Sequence, residues 1–325
     1  MDESMLARAA DPLLHLFWKA QIGILRACPP LHGVTIKHGM NAERSPKLWL
    51  KTLLHVGLRA PQALAFHLRD IRGGRVVLPR VSVGVTTRCT LRCDKCIARI
   101  PEIKHRAHVP FDELKRDLQA LFSCADHIYD LNLAGGEAFL HPQLDEILRF
   151  CAASGKAGHI DITTNGTVLP GEKLIAALQD TKATVRITRY PPALQPKAGA
   201  LKQMLKEHGI PYLHEVGAFW YDTDNSGRPQ EGSARRKFSV CAQTLCFSFF
   251  GGKLHLCSAS AAQMEIGIIP DCGEDYINLR EASPAAFRAQ WKKLREKRSI
   301  SACRYCLGCS YRAPKVPVAL QRGED

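Results

Sequence analysis

From residue 81 onward the chain alternates two periodicities. Short apolar runs at 81–85, 128–133, 158–163, 184–189 and 211–216 read as strands. Between them lie amphipathic stretches. Phe111 to Cys124 places Phe111, Leu114, Leu118, Leu121 and Phe122 on one helical face, and 142–153, 172–179 and 197–208 follow the same pattern. Strands alternating with helices at this spacing predict a parallel sheet with helices outside it. Such sheets gather their ligands at the carboxyl ends of the strands.

The flanks differ from this middle. Residues 1 to about 80 read as helices: Asp11 and Pro12 fit an N-cap with proline at the first helical position, and Leu13, Leu16, Phe17, Ala20 and Ile24 then recur at helical spacing. Lys19 and Gln21 break the stretch too early for a membrane span. Trp18, Trp49 and the basic character also suit an interfacial helix, but an apolar stripe is the ordinary mark of packing against a core, and that is the expectation here. After residue 217 the turn residues Asn225 to Pro229 mark a loop, and Phe249 to Leu256, with Gly251 and Gly252 between its arms, reads as a hairpin. Three units are expected: 1–80, 81–217 and 218–325.

Composition narrows the class. At 325 residues with 46% hydrophobic and 23% charged positions, the chain can bury a large core. The acidic opening Met1 to Ser4 lacks the basic start of a signal peptide, so the thirteen cysteines point to metal ligation in the cytoplasm rather than to disulfides. A net charge of +14 favours acidic partners. Its basic runs, Arg235 to Lys237 and Lys292 to Arg298, read as solvated faces, and no nucleic-acid-binding motif is present. No glycine-rich phosphate loop, catalytic serine motif or internal repeat occurs.

The chemistry is concentrated in cysteine. Cys89, Cys93 and Cys96 follow the first strand on one short loop. Three thiolates can hold three irons of a [4Fe–4S] cube and leave the fourth open, whereas zinc asks for four ligands, commonly as paired Cys-x2-Cys. The Cys-x3-Cys-x2-Cys spacing resembles that of the radical SAM superfamily. The resemblance implies a partial (β/α)6 barrel in an α/β fold, and S-adenosylmethionine (SAM) chelated at the open iron. One electron would then cleave SAM to a 5′-deoxyadenosyl radical. It also implies that Gly135, Gly136 and Glu137 hydrogen-bond the SAM amino group, that Thr164 and Asn165 lie near its ribose and methionine, and that Arg186 or Arg189 faces its carboxylate. Val185, Ile187 and Arg189 share one strand face and Arg186 the other, which leaves the choice between the arginines open. At Lys95 the sequence departs from members that carry an aromatic residue before the third cysteine.

A second cysteine field closes the chain. Cys241, Gly252 and Cys257 resemble the opening of the SPASM and twitch extensions, and Cys303, Cys306 and Cys309 follow. The shorter, twitch-like form implies one auxiliary [4Fe–4S] cluster held by Cys241 or Cys246 together with Cys257, Cys303 and Cys306, with Cys309 a further candidate. A zinc ribbon is the alternative. Cys28, Cys124, Cys151 and Cys272 read as inert thiols, and His105, His108 and His141 as structural or surface residues.

The expected protein is an oxidoreductase or epimerase that takes a hydrogen atom from a sugar or nucleotide-like substrate, served by an electron donor such as flavodoxin or ferredoxin. A peptide-modifying maturase is the second reading, and a non-enzymatic zinc-binding protein the third.

Overall fold

β1 (Val77–Thr86) is the axis of the fold. The computed structural model describes residues 16, 19–26, 61, 64–65, 67–70, 72–214, 219–224 and 226–323. Along β1, Val81, Val83 and Val85 turn toward the helices and are fully buried. Arg80, Ser82, Gly84 and Thr86 alternate with them and face the other way. On one side β1 begins a parallel series with β2 (His127–Gly135), β3 (Ile160–Thr164), β4 (Thr184–Ile187) and β5 (Tyr212–His214). The crossovers are α1 (Phe111–Cys124), α2 (Leu144–Ala153), α3 (Glu172–Thr181) and α4 (Ala198–Glu207).

The expected apolar stripe of α1 is the one that packs: Leu114, Leu118, Leu121 and Phe122 are buried, with Phe111 half-buried against them. Each such side chain contributes on the order of 1.5–3 kcal/mol relative to exposure. Residues 215 and 216, at the end of the fifth expected strand, lie outside the described residues.

The sixth parallel strand is not where six successive βα units would put it. Among the described residues it is β7 (Phe247–Phe250), which pairs with the free flank of β1 rather than with β5. β8 (Lys253–His255) and β9 (Tyr276–Asn278) continue antiparallel, giving the order β5-β4-β3-β2-β1-β7-β8-β9. Buried Phe247 and Phe249 alternate with Ser248 and Phe250, which face the interior cavity. Gly84 makes room for this arrangement, since a Cβ there would stand 2.8 Å from the Phe250 ring. The turn between β7 and β8 is Gly251-Gly252, with φ of 57° and 73°, a conformation that glycine adopts without strain. The result is an α/β fold with a mostly parallel sheet, consistent with a partial barrel, and part of segment 218–325 belongs to that same sheet.

The remaining elements are β6 (Trp220–Tyr221), paired antiparallel with β10 (Lys315–Val316), and α5 (Ala234–Ser239), α6 (Ser258–Glu265) and α7 (Pro284–Glu296). In α7, Ser283 caps the first turn and Phe287, Trp291 and Leu294 are buried, so Lys292, Lys293 and Arg295 form the solvated face.

Ahead of the sheet, residues 19–26 are helical, but the buried face is Ile22 and Leu25 on Leu245. Leu16 and Ile24 of the expected stripe are exposed. The docking is fixed by Arg26, which stacks over Phe238 and donates to Thr244 Oγ1 at 2.8 Å. Nearer the sheet, buried Asp70 accepts from Arg75 at 2.8 Å and from the Tyr129 hydroxyl at 3.0 Å. Asp11, Pro12, Leu13, Phe17, Trp18, Cys28 and Trp49 lie outside the described residues. No helix among the described residues is long and apolar enough to cross a membrane.

Candidate functional site

The interior face of the sheet rises from a charged floor to a cavity at the strand carboxyl ends. At the floor Arg80 grips Asp161 through two hydrogen bonds of 3.1 Å, and Arg186 reaches the same carboxylate at 3.4 Å. All three residues are buried. Burial alone would raise the Asp161 carboxyl, but Arg80 and Arg186 outweigh it and hold the group below its ordinary value. One layer up, Ser82 donates to Asn132 Oδ1 at 3.0 Å, and Asn132 donates to Thr163 Oγ1 at 2.8 Å and to Asp161. This ladder answers the question left open between the two arginines. Val185 and Ile187 are fully buried under the helices, so Arg186 points inward and is spent on Asp161, while Arg189 is exposed. Neither lines the cavity.

The cavity has a volume of about 590 Å³. Cys89, Cys93 and Cys96 form one wall, together with Gly135, Gly136, Thr164 and Asn165. The opposite wall comes from beyond β5: Trp220, Gln243, Ser248, Ser258, Glu265 and Cys309. Tyr190 and Trp220 meet edge to face at 5.9 Å and pack against the cluster of Leu91, Cys93 and Ala319, as Cys89 and Cys96 also do. Lys95 turns outward to Asp222 at 3.0 Å.

The cysteine loop is pinned from several sides. Gly136 N–H donates to Thr86 O at 2.9 Å and Glu137 N–H to Arg88 O at 2.8 Å. A Cβ on Gly135 would lie 2.2 Å from Thr86 O, and one on Gly136 would lie 2.1 Å from Arg88 O. The two glycines are therefore needed for the close approach of two backbone segments. Glu137 is fully buried. Its carboxylate accepts from Phe139 N–H at 3.0 Å, the Thr164 hydroxyl at 2.8 Å and Asn165 N–H at 2.7 Å, so it ties the β2 and β3 ends together and does not reach the cavity. Burial pushes this carboxyl above its ordinary value, against those three donors.

Donors pointing at the sulfurs of this loop include Leu91 N–H to Cys89 at 3.4 Å, the Asn165 amide to Cys89 at 3.6 Å, and the Gln321 amide to Cys93 at 3.3 Å. Burial raises the Cys89 thiol to about 11. Nothing in the sequence pattern marks Gln321; only its position beside Cys93 in space does so.

The second cysteine field separates into three places. Cys241, Cys257, Cys303 and Cys306 surround a small cavity of about 30 Å³. Cys246 is not with them: it lies half-buried at the barrel floor, close to Arg80 and Asp161. Cys309 lines the large cavity while staying within electrostatic reach of Cys241 and Cys306. In the small cavity, burial lifts Cys303 to about 11 and Cys306 to about 12. Lys237 Nζ and Gln263 Oε1 line it, are buried, and have no hydrogen-bond partner. α6 is the partition between the two cavities. Ser258, Ala261, Ala262 and Glu265 face the large one, whereas Ala259, Ser260 and Gln263 face the small one.

Among the described residues, no three His, Cys, Asp or Glu side chains converge on a point as ligands of a single ion. A zinc ion needs its sulfurs about 2.3 Å from one centre. A four-iron cube takes each thiolate on a different iron and so holds its sulfurs apart. The unpartnered ammonium of Lys237 adds a demand for negative charge in the small cavity.

Residues 83–209 match the model of the Radical SAM superfamily. The chain therefore carries a domain of that superfamily of enzymes. It is similar to the GTP 3',8-cyclases of two Stenotrophomonas maltophilia strains, R551-3 and K279a, with 32% identity over 93 residues in each case. Those residues are 28% of this chain and 28% of the relative, so the match spans little more than a quarter of the relatives' length. Among solved structures it resembles BtrN in complex with AdoMet and 2-DOIA (14% identity, TM-score 0.42, 71% of this chain and 93% of that chain). It also resembles native anSMEcpe with bound AdoMet (10% identity, TM-score 0.42, 67% and 81%) and SuiB of Streptococcus suis bound to S-adenosylmethionine (15% identity, TM-score 0.37, 50% and 39%).

Proposed function

We propose that the protein is a radical SAM enzyme with two iron–sulfur centres, acting on a small polyhydroxylated substrate in the cavity between them. In this reading Cys89, Cys93 and Cys96 hold a [4Fe–4S] cluster, and Cys241, Cys257, Cys303 and Cys306 hold an auxiliary one. When bound and reduced, the first cluster supplies the electron that cleaves SAM, and SAM supplies the radical that abstracts hydrogen.

The chain's own residues position and enclose. The backbones of Gly135 and Gly136, with Thr164 and Asn165, line the side of the cavity next to the cysteine loop and would seat SAM there. Glu137 acts one step back, by locking the two strand ends that carry them. Tyr190 and Trp220 exclude water from the thiols, which protects a reactive intermediate.

The observation that carries the reading is the shared cavity. One 590 Å³ space is walled on one side by the three-cysteine loop and on another by α6, whose far face closes the four-cysteine site. A substrate there lies between both centres, as hydrogen abstraction followed by loss of an electron requires. The walls offer the hydroxyls of Ser82, Thr163, Ser248 and Ser258 and the amide of Gln243, with Glu265 as the charged side chain among the described lining residues. Such a lining suits sugar hydroxyls better than phosphate, and favours a sugar over a nucleotide. An electron donor of flavodoxin or ferredoxin type completes the scheme.

The test is anaerobic purification followed by incubation of the reduced protein with SAM and deuterated sugars or peptides, reading 5′-deoxyadenosine by mass spectrometry. Brown protein with iron and sulfide at both sites, and deuterium transfer from a sugar, are expected. Transfer from peptides alone would make it a maturase. Colourless protein with zinc at both sites would refute the enzyme. Cys93→Ala should abolish SAM cleavage.

A further inference from the structure

The segment Ala319–Arg322 lies along the first cysteine loop as a short antiparallel strap. Cys93 and Gln321 are bridge partners. Asp94 N–H donates to Leu320 O at 2.7 Å, and Arg322 N–H donates to Arg92 O at 2.9 Å. Arg322 then clamps the loop from outside, pairing with Asp94 at 3.4 Å and with Glu102. Ala319 is buried against Leu91 and Cys93, and its φ of 52° turns the chain onto the loop.

The orientation of the Gln321 side chain is determined by its partners. Arg92 N–H, which can only donate, lies 2.8 Å from one end of the amide, so that end is the oxygen. The nitrogen end must then face Ala319 O, at 2.6 Å, and Cys93 Sγ, at 3.3 Å. Both ends of the amide are thus held, and an N–H is aimed at the sulfur.

We propose that Gln321 is a positioning residue for the first iron–sulfur centre, and that its N–H···S bond to Cys93 sets the reduction potential of that centre. The proposal rests on the assignment of a cluster to Cys89, Cys93 and Cys96. Hydrogen bonds to ligand sulfur are among the means by which a protein tunes a cluster. Reduction adds negative charge that spreads onto the sulfurs, so a donor at Cys93 stabilises the reduced state more than the oxidised one and raises the potential. The strap comes from residues more than 220 positions away in sequence, and contributes to the centre without supplying a ligand.

The experiment uses the full chain, reconstituted anaerobically, with potentiometric titration followed by electron paramagnetic resonance. The signal altered by added SAM reports the first centre. Gln321→Met keeps side-chain length and leaves the backbone strap free to form, but removes the donor. Gln321→Glu puts an acceptor in its place. Both variants should load as much iron as the wild type, and in Gln321→Met the ratio of reduced to oxidised cluster at a fixed ambient potential should fall about tenfold. That corresponds to about 59 mV toward negative values for a one-electron couple. Gln321→Glu should shift further in the same direction. Equal midpoints in all three proteins would overturn the proposal. So would loss of iron from both variants, because a bond that only tunes the potential leaves ligation intact. A wild-type chain without any SAM-sensitive signal would instead overturn the assignment of the first centre.

Discussion

Replacing Lys237 by methionine should stabilise the metal-free chain more than the iron-loaded one. In the metal-free chain the Lys237 ammonium is buried without a hydrogen-bond partner and faces four thiols. Burial keeps those thiols protonated at neutral pH: Cys303 stands at about 11 and Cys306 at about 12. The ammonium therefore has no counter-charge there. An unsatisfied buried polar group costs about 1–3 kcal/mol, and a charged one more. Methionine fills the same length without charge, so Lys237→Met should stabilise the metal-free chain by about 1–3 kcal/mol.

Cluster binding shifts the balance. Ligation deprotonates the thiols, and four thiolates around an iron–sulfur core leave the small cavity net negative, which is the partner the ammonium lacks. The variant should then lose part of the stabilisation that cluster binding gives. Urea unfolding of chelator-treated and anaerobically reconstituted protein measures both. The metal-free midpoint should rise by roughly 0.5 M, and the gain on loading should be smaller than in the wild type. A metal-free variant less stable than the wild type would show that the ammonium is satisfied. A variant stabilised to the same extent in both states would refute the small cavity as the seat of a charged centre.

Three further outcomes are expected. His255 is buried, with Nδ1 lacking a partner, and burial first, then Lys253, lowers it to about 4. A lowered histidine value means that the unfolded chain binds more protons below about pH 6.5. Up to about 3 kcal/mol of stability, complete above that pH, is therefore lost as pH falls toward 4. His255→Leu should flatten this part of a stability–pH profile, and an unchanged slope would sink the assignment. Gly136→Ala would drive its Cβ into Arg88 O. It should cost about 1–3 kcal/mol and remove iron selectively from the first centre, leaving the auxiliary iron; full loading of both sites by iron analysis would contradict the packing account. Arg80→Met leaves Asp161 buried with the longer Arg186 contact and the Asn132 amide but without its bidentate partner. Its cost should approach the ~3–5 kcal/mol of a broken buried pair, and a thermal or urea measurement giving less than about 1 kcal/mol would argue against it.

Much of the scaffold was legible because local pattern and tertiary burial agree there. The α1 stripe from Leu114 to Phe122 has a 3.6-residue period and packs on a sheet whose strands were visible as apolar runs. The cysteine spacing pointed to the loop for the same reason: close neighbours in sequence cannot be far apart in space. Where partners come from distant segments, pattern was silent. The expected stripe ran through Leu16 and Ile24, but the buried face is Ile22 and Leu25, because that is the side on which Leu245 lies. Glu137 sits in a motif that resembles a SAM-binding one, yet its carboxylate is consumed by Thr164 and Asn165. Cys246 is five residues from Cys241 and still belongs to the barrel floor, because β7 begins at the next residue and carries it to Arg80.

By itself the sequence determined the alternation of strands and helices, the triple-cysteine loop at the end of β1 and the presence of a second cysteine group, since each depends on residues near one another along the chain. Only the tertiary structure decided that β7 completes the parallel run beside β1, that Arg186 and not Arg189 faces inward, and which four distant cysteines share a cavity. It also decided that α6 separates the two sites and that Gln321 reaches Cys93. These are contacts between segments tens to hundreds of residues apart, and they are chosen by burial, backbone pairing and charge compensation in the folded whole, which a local periodicity does not encode.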